Sequence, residues 1–416
     1  MPRRRRWTPV RGTANRVYDA RERWLLAAVD LPARGVFRLL RPLVGPATAP
    51  DPETIREVLV LRLDRIGDVL MSLDALAELR AALPKARIRL AVGAWSAEIA
   101  RAAPVDELLV WSAPWVGRAS EGALRLGDLV RHAWALRASR LDLAIDLQGD
   151  VRASLLLWLS GARWRVGYAN TGGAYLLSLS LPLDETIPWV EQNRRAVALA
   201  TGQPATGVHA DPLDAEDRAF GARLVANLGL ESRRPVIGLH PSGGRRVKQW
   251  EVPRWASVAR RLQREFGATL LVTGSAADTP LARAIAEGLV ERPFDLTGKL
   301  SVRETLALIA RLDLFLSPDT GPMHMACAVG TPSVAVFGPS DPGRYFSGGS
   351  GQPGTRHVVV REELWCAPCN LIRRPPAECD TGEPPECLRL VTSETVYAAA
   401  ARLLRETGGY RMRGEA

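Results

Sequence analysis

No stretch of the sequence reaches the roughly 18–20 uninterrupted apolar residues that a membrane-spanning helix needs. Met1 to Trp7 hold four consecutive arginines, but no apolar block of signal-peptide type follows them. The expected location is therefore the cytoplasm. Cysteine is scarce, at five residues. Cys327 stands alone in an apolar helix pattern and the other four cluster between Cys366 and Cys387, which is a local device and not a secreted disulfide scaffold. No Gly-x-Gly-x-x-Gly follows the first strand pattern, which argues against a Rossmann-type dehydrogenase, and no Gly-Lys-Ser or Gly-Lys-Thr of Walker type occurs. A solenoid-type internal repeat is also missing.

What is present is ordinary globular material. Hydrophobic residues make up 47% and charged residues 24%, which excludes a disordered chain. A length of 416 residues is long for one core and comfortable for two. Acidic residues number 45 against 55 basic ones, for a formal charge of +10. That imbalance calls for a polyanionic neighbour, either nucleic acid, an anionic membrane surface or phosphorylated substrates. A compositional bias toward arginine is the plain alternative. Because the basic residues are spread along the chain and no nucleic-acid module appears, no nucleic-acid partner is expected.

Residues 1–52 form a basic extension. Within it, Arg16 to Leu43 intersperse basic residues with Trp24, Leu25, Leu26, Val29, Val36, Phe37, Leu39 and Leu40. This reads either as a basic amphipathic segment for a membrane surface or as a helix packed on its own domain. A strand–helix rhythm then begins. Val58–Leu63 is a short apolar run, followed by the polar turn Asp64-Arg65-Ile66-Gly67-Asp68. A helix carries Val69, Leu73, Leu76, Leu79 and Leu83 before Pro84. Ile88–Val92, Leu108–Trp111 and Leu141–Leu147 read as further buried strands, as in a parallel sheet covered on both faces. The rhythm lapses from about Leu183 to Arg234. We therefore expect a first domain over 53–210, a linker over 211–234 and a second domain over 235–416. The second contains strands at Val236–Leu239, Thr269–Thr273, Leu314–Ser317 and Ser333–Phe337. Its helices run over Pro253–Phe266, from a Ser301/Glu304 capping box to near Leu312, and after Pro322. The expected fold class is α/β, with two doubly wound, Rossmann-like domains facing each other across a cleft lined by loops at the strand C-termini.

Four loops at strand ends carry candidate chemistry. Asp68 opens a helix, where an acid suits the helix dipole and could also act as a general base. In His240-Pro241-Ser242-Gly243-Gly244-Arg245-Arg246-Val247-Lys248, adjacent glycines offer backbone N–H groups and Lys248 a mobile charge for a diphosphate. A solvated surface loop is the bland alternative. Asp278 follows a strand, as an acid that holds ribose hydroxyls does, though N-capping explains it equally well. In Asp319-Thr320-Gly321-Pro322-Met323-His324, Pro322 suits the first helical turn, whose free N–H groups favour phosphate. His324 reads by default as a satisfied core histidine.

Gly67-Asp68, His240-Pro241-Ser242-Gly243 with Lys248 and Trp250, Asp319 to His324, and Phe337-Gly338-Pro339 occur in order. Together they resemble family 9 of the glycosyltransferases, which contains the ADP-heptose:lipopolysaccharide heptosyltransferases. The similarity runs from about Ile55 to Arg405. The resemblance implies a GT-B fold and an inverting transfer with no cofactor required. The partners it implies are a nucleotide-sugar donor, ADP-heptose, and a glycolipid acceptor of the lipopolysaccharide core. It assigns Asp68 as catalytic base, Lys248 to the donor diphosphate, Asp319, Thr320 and Gly321 to the donor loop with His324 on the helix that follows, and Asp278 to the ribose. Ser242 and Gly243 join the donor site. A related transferase with another nucleotide sugar and another glycan is the alternative reading. Finally, the spacing of Cys366, Cys369, Cys379 and Cys387 permits a structural four-thiolate zinc or iron–sulfur site, or simply reduced thiols in a proline-rich loop.

Overall fold

The computed structural model describes residues 48–116, 125–348, 356–369, 379, 381–382, 384–408 and 410, with five positions between 28 and 36. The amphipathic reading of Arg16–Leu43 lies almost wholly outside the described residues. The chain divides into two compact units, Met1–Ala210 and Asp211–Ala416.

The first unit is built on β1 (Glu57–Arg62), β2 (Arg87–Val92), β3 (Glu107–Val110), β4 (Leu143–Asp146), β5 (Trp164–Tyr168) and β6 (Leu179–Leu181). They form one parallel sheet in the order β3-β2-β1-β4-β5-β6. Val58, Leu59, Val60 and Leu61 are all fully buried, so β1 has no solvent face and its sequence does not alternate. The single helix expected through Leu83 is two, Ile66–Leu70 and Leu73–Ala82. The break falls at Met71 and Ser72. There the amide of Asn193 donates to the Met71 carbonyl at 2.9 Å, and the Ser72 hydroxyl bonds back to the Asp68 carbonyl at 2.8 Å.

The second unit contains β7 (Val236–Leu239), β8 (Thr269–Val272), β9 (Phe294–Asp295), β10 (Leu314–Pro318), β11 (Ser333–Val336) and β12 (His357–Val360). Their order is β12-β11-β10-β7-β8-β9, again parallel throughout. Its core holds Trp250 against Trp255, edge to face with centroids 4.6 Å apart. The Ser301/Glu304 capping box forms, with the Glu304 amide donating to Ser301 Oγ at 3.2 Å and the Ser301 amide to Glu304 Oε2 at 2.8 Å. Residues 211–234, expected as a linker, carry the helix Ala215–Asn227 and fall within this unit. Asp214 caps that helix, and Arg303 ties both Asp214 and Asp217 to the helix Val302–Ile309. Gly221 packs so close that a Cβ there would lie 2.6 Å from the Ala307 carbonyl oxygen.

Both sheets follow one winding rule. From β1 the chain lays down β2 and β3 on one side, then returns to place β4 on the other, and β7 and β10 are related in the same way. Such reversals open a crevice beyond the strand C-termini, where doubly wound proteins bind ligands. The loops after β1 and β4, and after β7 and β10, are therefore where this fold puts chemistry.

Candidate active site

In the first unit the loop after β1 delivers Asp68 on the third position of the helix Ile66–Leu70. Asp68 Oδ2 accepts from the Arg65 amide at 3.1 Å, so the capping role is real. Its Oδ1 faces Nη2 of Arg62 at 3.6 Å, and the side chain keeps 24% of its surface open to solvent. One oxygen is thus fixed by the turn while the carboxylate stays reachable.

Across the reversal, β4 ends in Asp146, which sequence reading absorbed into an apolar run. Asp146 is fully buried. Its Oδ1 accepts from the amides of Gln148 and Gly149 at 2.8 and 3.0 Å, while Oδ2 has no hydrogen-bond partner. Burial, against those two amides and with Asp150 nearby, pushes its carboxyl up to about 7. The signal that could have found it was an acid at the end of an otherwise apolar strand, three residues before Gly149, which turns with φ +73°.

In the second unit the loop after β7 is shaped by two glycines. A Cβ on Gly243 would lie 2.6 Å from the carbonyl carbon of Lys248, so only glycine lets the loop fold onto its own return. Gly244 has φ +64°. This fold-back sets Lys248 against the loop after β10, and its Nζ meets Asp319 Oδ2 at 2.6 Å. The two residues are 71 positions apart in sequence. Burial alone would raise the Asp319 carboxyl, but the Lys248 ammonium, helped by Ser340 and His324, outweighs it and the group is held below the usual carboxylate range. Thr320 precedes the helix Gly321–Ala328, which has Pro322 in its first turn. Its hydroxyl lies 3.1 Å from that of Ser317. His324 is buried on the same helix with Nδ1 3.4 Å from Ser347 Oγ. Ser242 is half-buried beside Gly243.

The structure thus gathers Ser242, Gly243, Lys248, Asp319, Thr320, Gly321 and His324 around the β7/β10 reversal. Asp278 lies beyond β8 and is occupied as a cap, its Oδ2 accepting from both the amide and the hydroxyl of Ser275 at 2.8 Å. His240, directly after β7, is held neutral, because burial pulls it down to about 4 against the charge of Asp278. In chemical terms, this unit offers one mobile cation, loop amides and a helix start, which is an anion cradle. The first unit offers a solvent-reachable carboxylate.

The cysteine set shares a neighbourhood. Burial, reinforced by Cys369, Cys379 and Cys366, pushes the Cys387 thiol up to about 12. Among the described residues, no three or more histidine, cysteine or acidic side chains are grouped as metal ligands.

Comparison with solved structures extends the fold assignment. A family 9 glycosyltransferase from Veillonella parvula superposes with a TM-score of 0.71 at 23% identity, over 86% of this chain and 99% of that one. The Escherichia coli ADP-heptose lipopolysaccharide heptosyltransferase II gives 0.64 at 22% identity, over 85% and 99%. The fold is GT-B, an α/β architecture of two doubly wound units. In sequence, lipopolysaccharide heptosyltransferase 2 of Salmonella typhimurium is 27% identical over 299 residues, 69% of this chain and 84% of that protein. Residues 129–375 match the family described as Glycosyltransferase family 9 (heptosyltransferase), and the chain belongs to that family. It is a glycosyltransferase. The matched stretch includes Lys248 and Asp319 but begins beyond Asp68, which the family match therefore does not reach.

Proposed function

We propose that the chain transfers a heptose from ADP-heptose to a lipopolysaccharide-core acceptor, inverting the anomeric centre and needing no catalytic metal. The observation that carries this reading is the contact between Lys248 and Asp319 at 2.6 Å, made at the strand reversal beside a helix start. A donor diphosphate would take over the Lys248 ammonium, with the Ser242 and Gly243 amides, Thr320 and Gly321 completing its shell. Preorganised donors of this kind stabilise a leaving group whose charge develops in the transition state. They supply the positive charge that a metal supplies elsewhere. Asp278 would hold the ribose through the oxygen its cap leaves over, and His324 supports the helix behind the donor loop.

Asp68 serves as general base. Its carboxylate takes the proton of the acceptor hydroxyl as that oxygen attacks the anomeric carbon from the face opposite the diphosphate. The C–O bond to the acceptor forms, the bond to the diphosphate oxygen breaks, and ADP leaves. The base comes from the first unit and the anion cradle from the second.

The Salmonella relative is named for lipopolysaccharide heptose transfer and the Escherichia coli structure for ADP-heptose, which supports this choice of donor and acceptor. Another nucleotide sugar with another surface glycan is the second reading. A thermal-shift screen over ADP-, GDP-, UDP- and CMP-linked ligands separates them. Selective stabilisation by the ADP series, followed by ADP release from ADP-heptose with acceptor present, supports the proposal. A response confined to another base overturns the donor assignment.

On this reading the enzyme works at the cytoplasmic face of an anionic inner membrane. None of the described helices is long and apolar enough to cross a membrane. Residues 1–52 would provide peripheral contact, and equal liposome sedimentation with and without residues 1–50 rejects that role. A structural zinc or iron–sulfur site at Cys366, Cys369, Cys379 and Cys387 rests on the donor set alone. Metal analysis of anaerobically purified protein tests it, and a trace level removes it.

A further inference from the structure

Arg62 is the last residue of β1 and is completely buried. A guanidinium at such a place is costly to the fold, because removing an ion from water costs several kcal/mol before its partners repay it. Val58 to Leu61 before it are all apolar, so strand pairing and packing here do not ask for a charge. What surrounds the group is informative. Its Nε donates to the main-chain carbonyl of Asp68 at 3.1 Å. Its Nη1 donates to the carbonyl of Leu147, in the loop after β4. Its Nη2 makes no hydrogen bond and faces Asp68 Oδ1 at 3.6 Å, with Asp64 Oδ2 lying 3.7 Å from Nη1. The ring of Trp189 covers the guanidinium, 5.1 Å from its centre.

We infer that Arg62 is a positioning residue for Asp68, aiming the carboxylate oxygen that accepts the proton while clamping the turn that carries it. This rests on the reading of Asp68 as the base. Asp68 Oδ2 is engaged by the Arg65 amide, so Oδ1 is the oxygen left for the acceptor, and it is the one that Arg62 faces. One planar fork therefore holds the main chain of Asp68 and the neighbouring loop across the strand reversal by hydrogen bonds, and sets its charge 3.6 Å from the reactive oxygen. Arg62 has no exposed surface and touches no substrate; it acts only through Asp68.

The test compares Arg62→Gln, Arg62→Lys, Asp68→Asn and the double variant Arg62→Gln/Asp68→Asn as full chains, following ADP release from ADP-heptose. Matched circular dichroism and melting temperatures control for folding. Misplacing a catalytic group by about 1 Å costs about 10²-fold in rate. The expected loss for Arg62→Gln is therefore about 10²-fold in kcat, with the donor KM within about twofold. Arg62→Lys keeps the charge without the fork and should recover about tenfold of that loss. In the Asp68→Asn background the Arg62 substitution should cost less than about threefold more, because the group it positions is already gone.

A folded Arg62→Gln with wild-type kcat overturns the inference, and so does a double variant whose losses multiply. Both results leave Asp68 as base untouched. Near-normal turnover by Asp68→Asn instead removes the base reading, and the role of Arg62 with it. Should Arg62→Gln not fold, Arg62→Met carries the same test with the same two outcomes.

Discussion

Replacing Asp146 by Asn should stabilise the protein in a pH-dependent way. Asp146 ends β4 fully buried, with one oxygen on the amides of Gln148 and Gly149 and the other without a partner. Its carboxyl sits at about 7 in the folded chain against an ordinary 3.8. Between those two values the folded state keeps a proton that the unfolded state has lost, so stability falls as pH rises through that window and levels off above it. The gap is worth about 4 kcal/mol in total at 1.36 kcal/mol per pH unit, and about 3 kcal/mol of it falls between pH 5 and pH 8. Asparagine keeps an oxygen for the two amides and never ionises. Its NH2 group has no acceptor waiting, which costs about 1–3 kcal/mol, but does so equally at both pH values. The measurement is the melting midpoint of wild type and variant at pH 5 and pH 8. The variant should gain on wild type at pH 8 relative to pH 5 by a margin equivalent to about 3 kcal/mol. An equal difference at the two pH values would refute the claim that a buried, half-satisfied carboxyl is what titrates.

Three further outcomes test the site directly. Asp68→Asn should fold normally and lose about 10²–10⁴-fold in transfer, the usual worth of a general base, as read by ADP release at saturating donor. Lys248→Met should abolish donor-induced thermal stabilisation. It also leaves Asp319, a carboxylate only 5% exposed at its side chain, buried without its cation. That should cost about 3–5 kcal/mol near pH 7. Because Lys248 depresses Asp319, the stability it lends is present above the unfolded carboxylate range and is lost only as pH falls through the depressed folded value, so this contribution should persist down to about pH 4 and disappear below it. Gly243→Ala places a Cβ 2.6 Å from the Lys248 carbonyl carbon and should weaken donor binding with little change in the melting of the unit as a whole, as titration calorimetry with ADP would measure.

Most of the layered architecture was legible because buried parallel strands announce themselves as short apolar runs. Val58–Leu63 and Leu314–Ser317 were read within a residue or two of β1 and β10. Four strands escaped, β5, β6, β9 and β12, and not for a single reason. β5 contains Arg165, buried and bonded through Nε to the Leu176 carbonyl at 2.7 Å, and that arginine breaks the apolar signal. β9 has two residues and is too short to show a period. The stretch 211–234 looked like a linker because the helix Ala215–Asn227 buries only a narrow stripe, consisting of Asp217, Gly221 and Val225. Asp217 is inside because Arg303 reaches it, a contact across 86 residues that no local window contains.

The site divides along the same line. Lys248 and Asp319 could each be picked out from their own loops, as a cation near glycines and an acid before a proline-started helix. That they form one ion pair follows only from the strand order, which sets β7 beside β10. Arg62 and Asp146 were hidden by the opposite error, since each sits in a run so apolar that a single charged residue was averaged away. Yet an ionisable group kept at full burial is the more informative observation, because apolar packing alone gives no reason to keep it. Both such groups lie at the ends of β1 and β4, the two strands between which the winding of the first sheet reverses. On the proposed function, the placement of these costly groups, more than the composition of any loop, points to the strand reversal as the place where this unit does its chemistry.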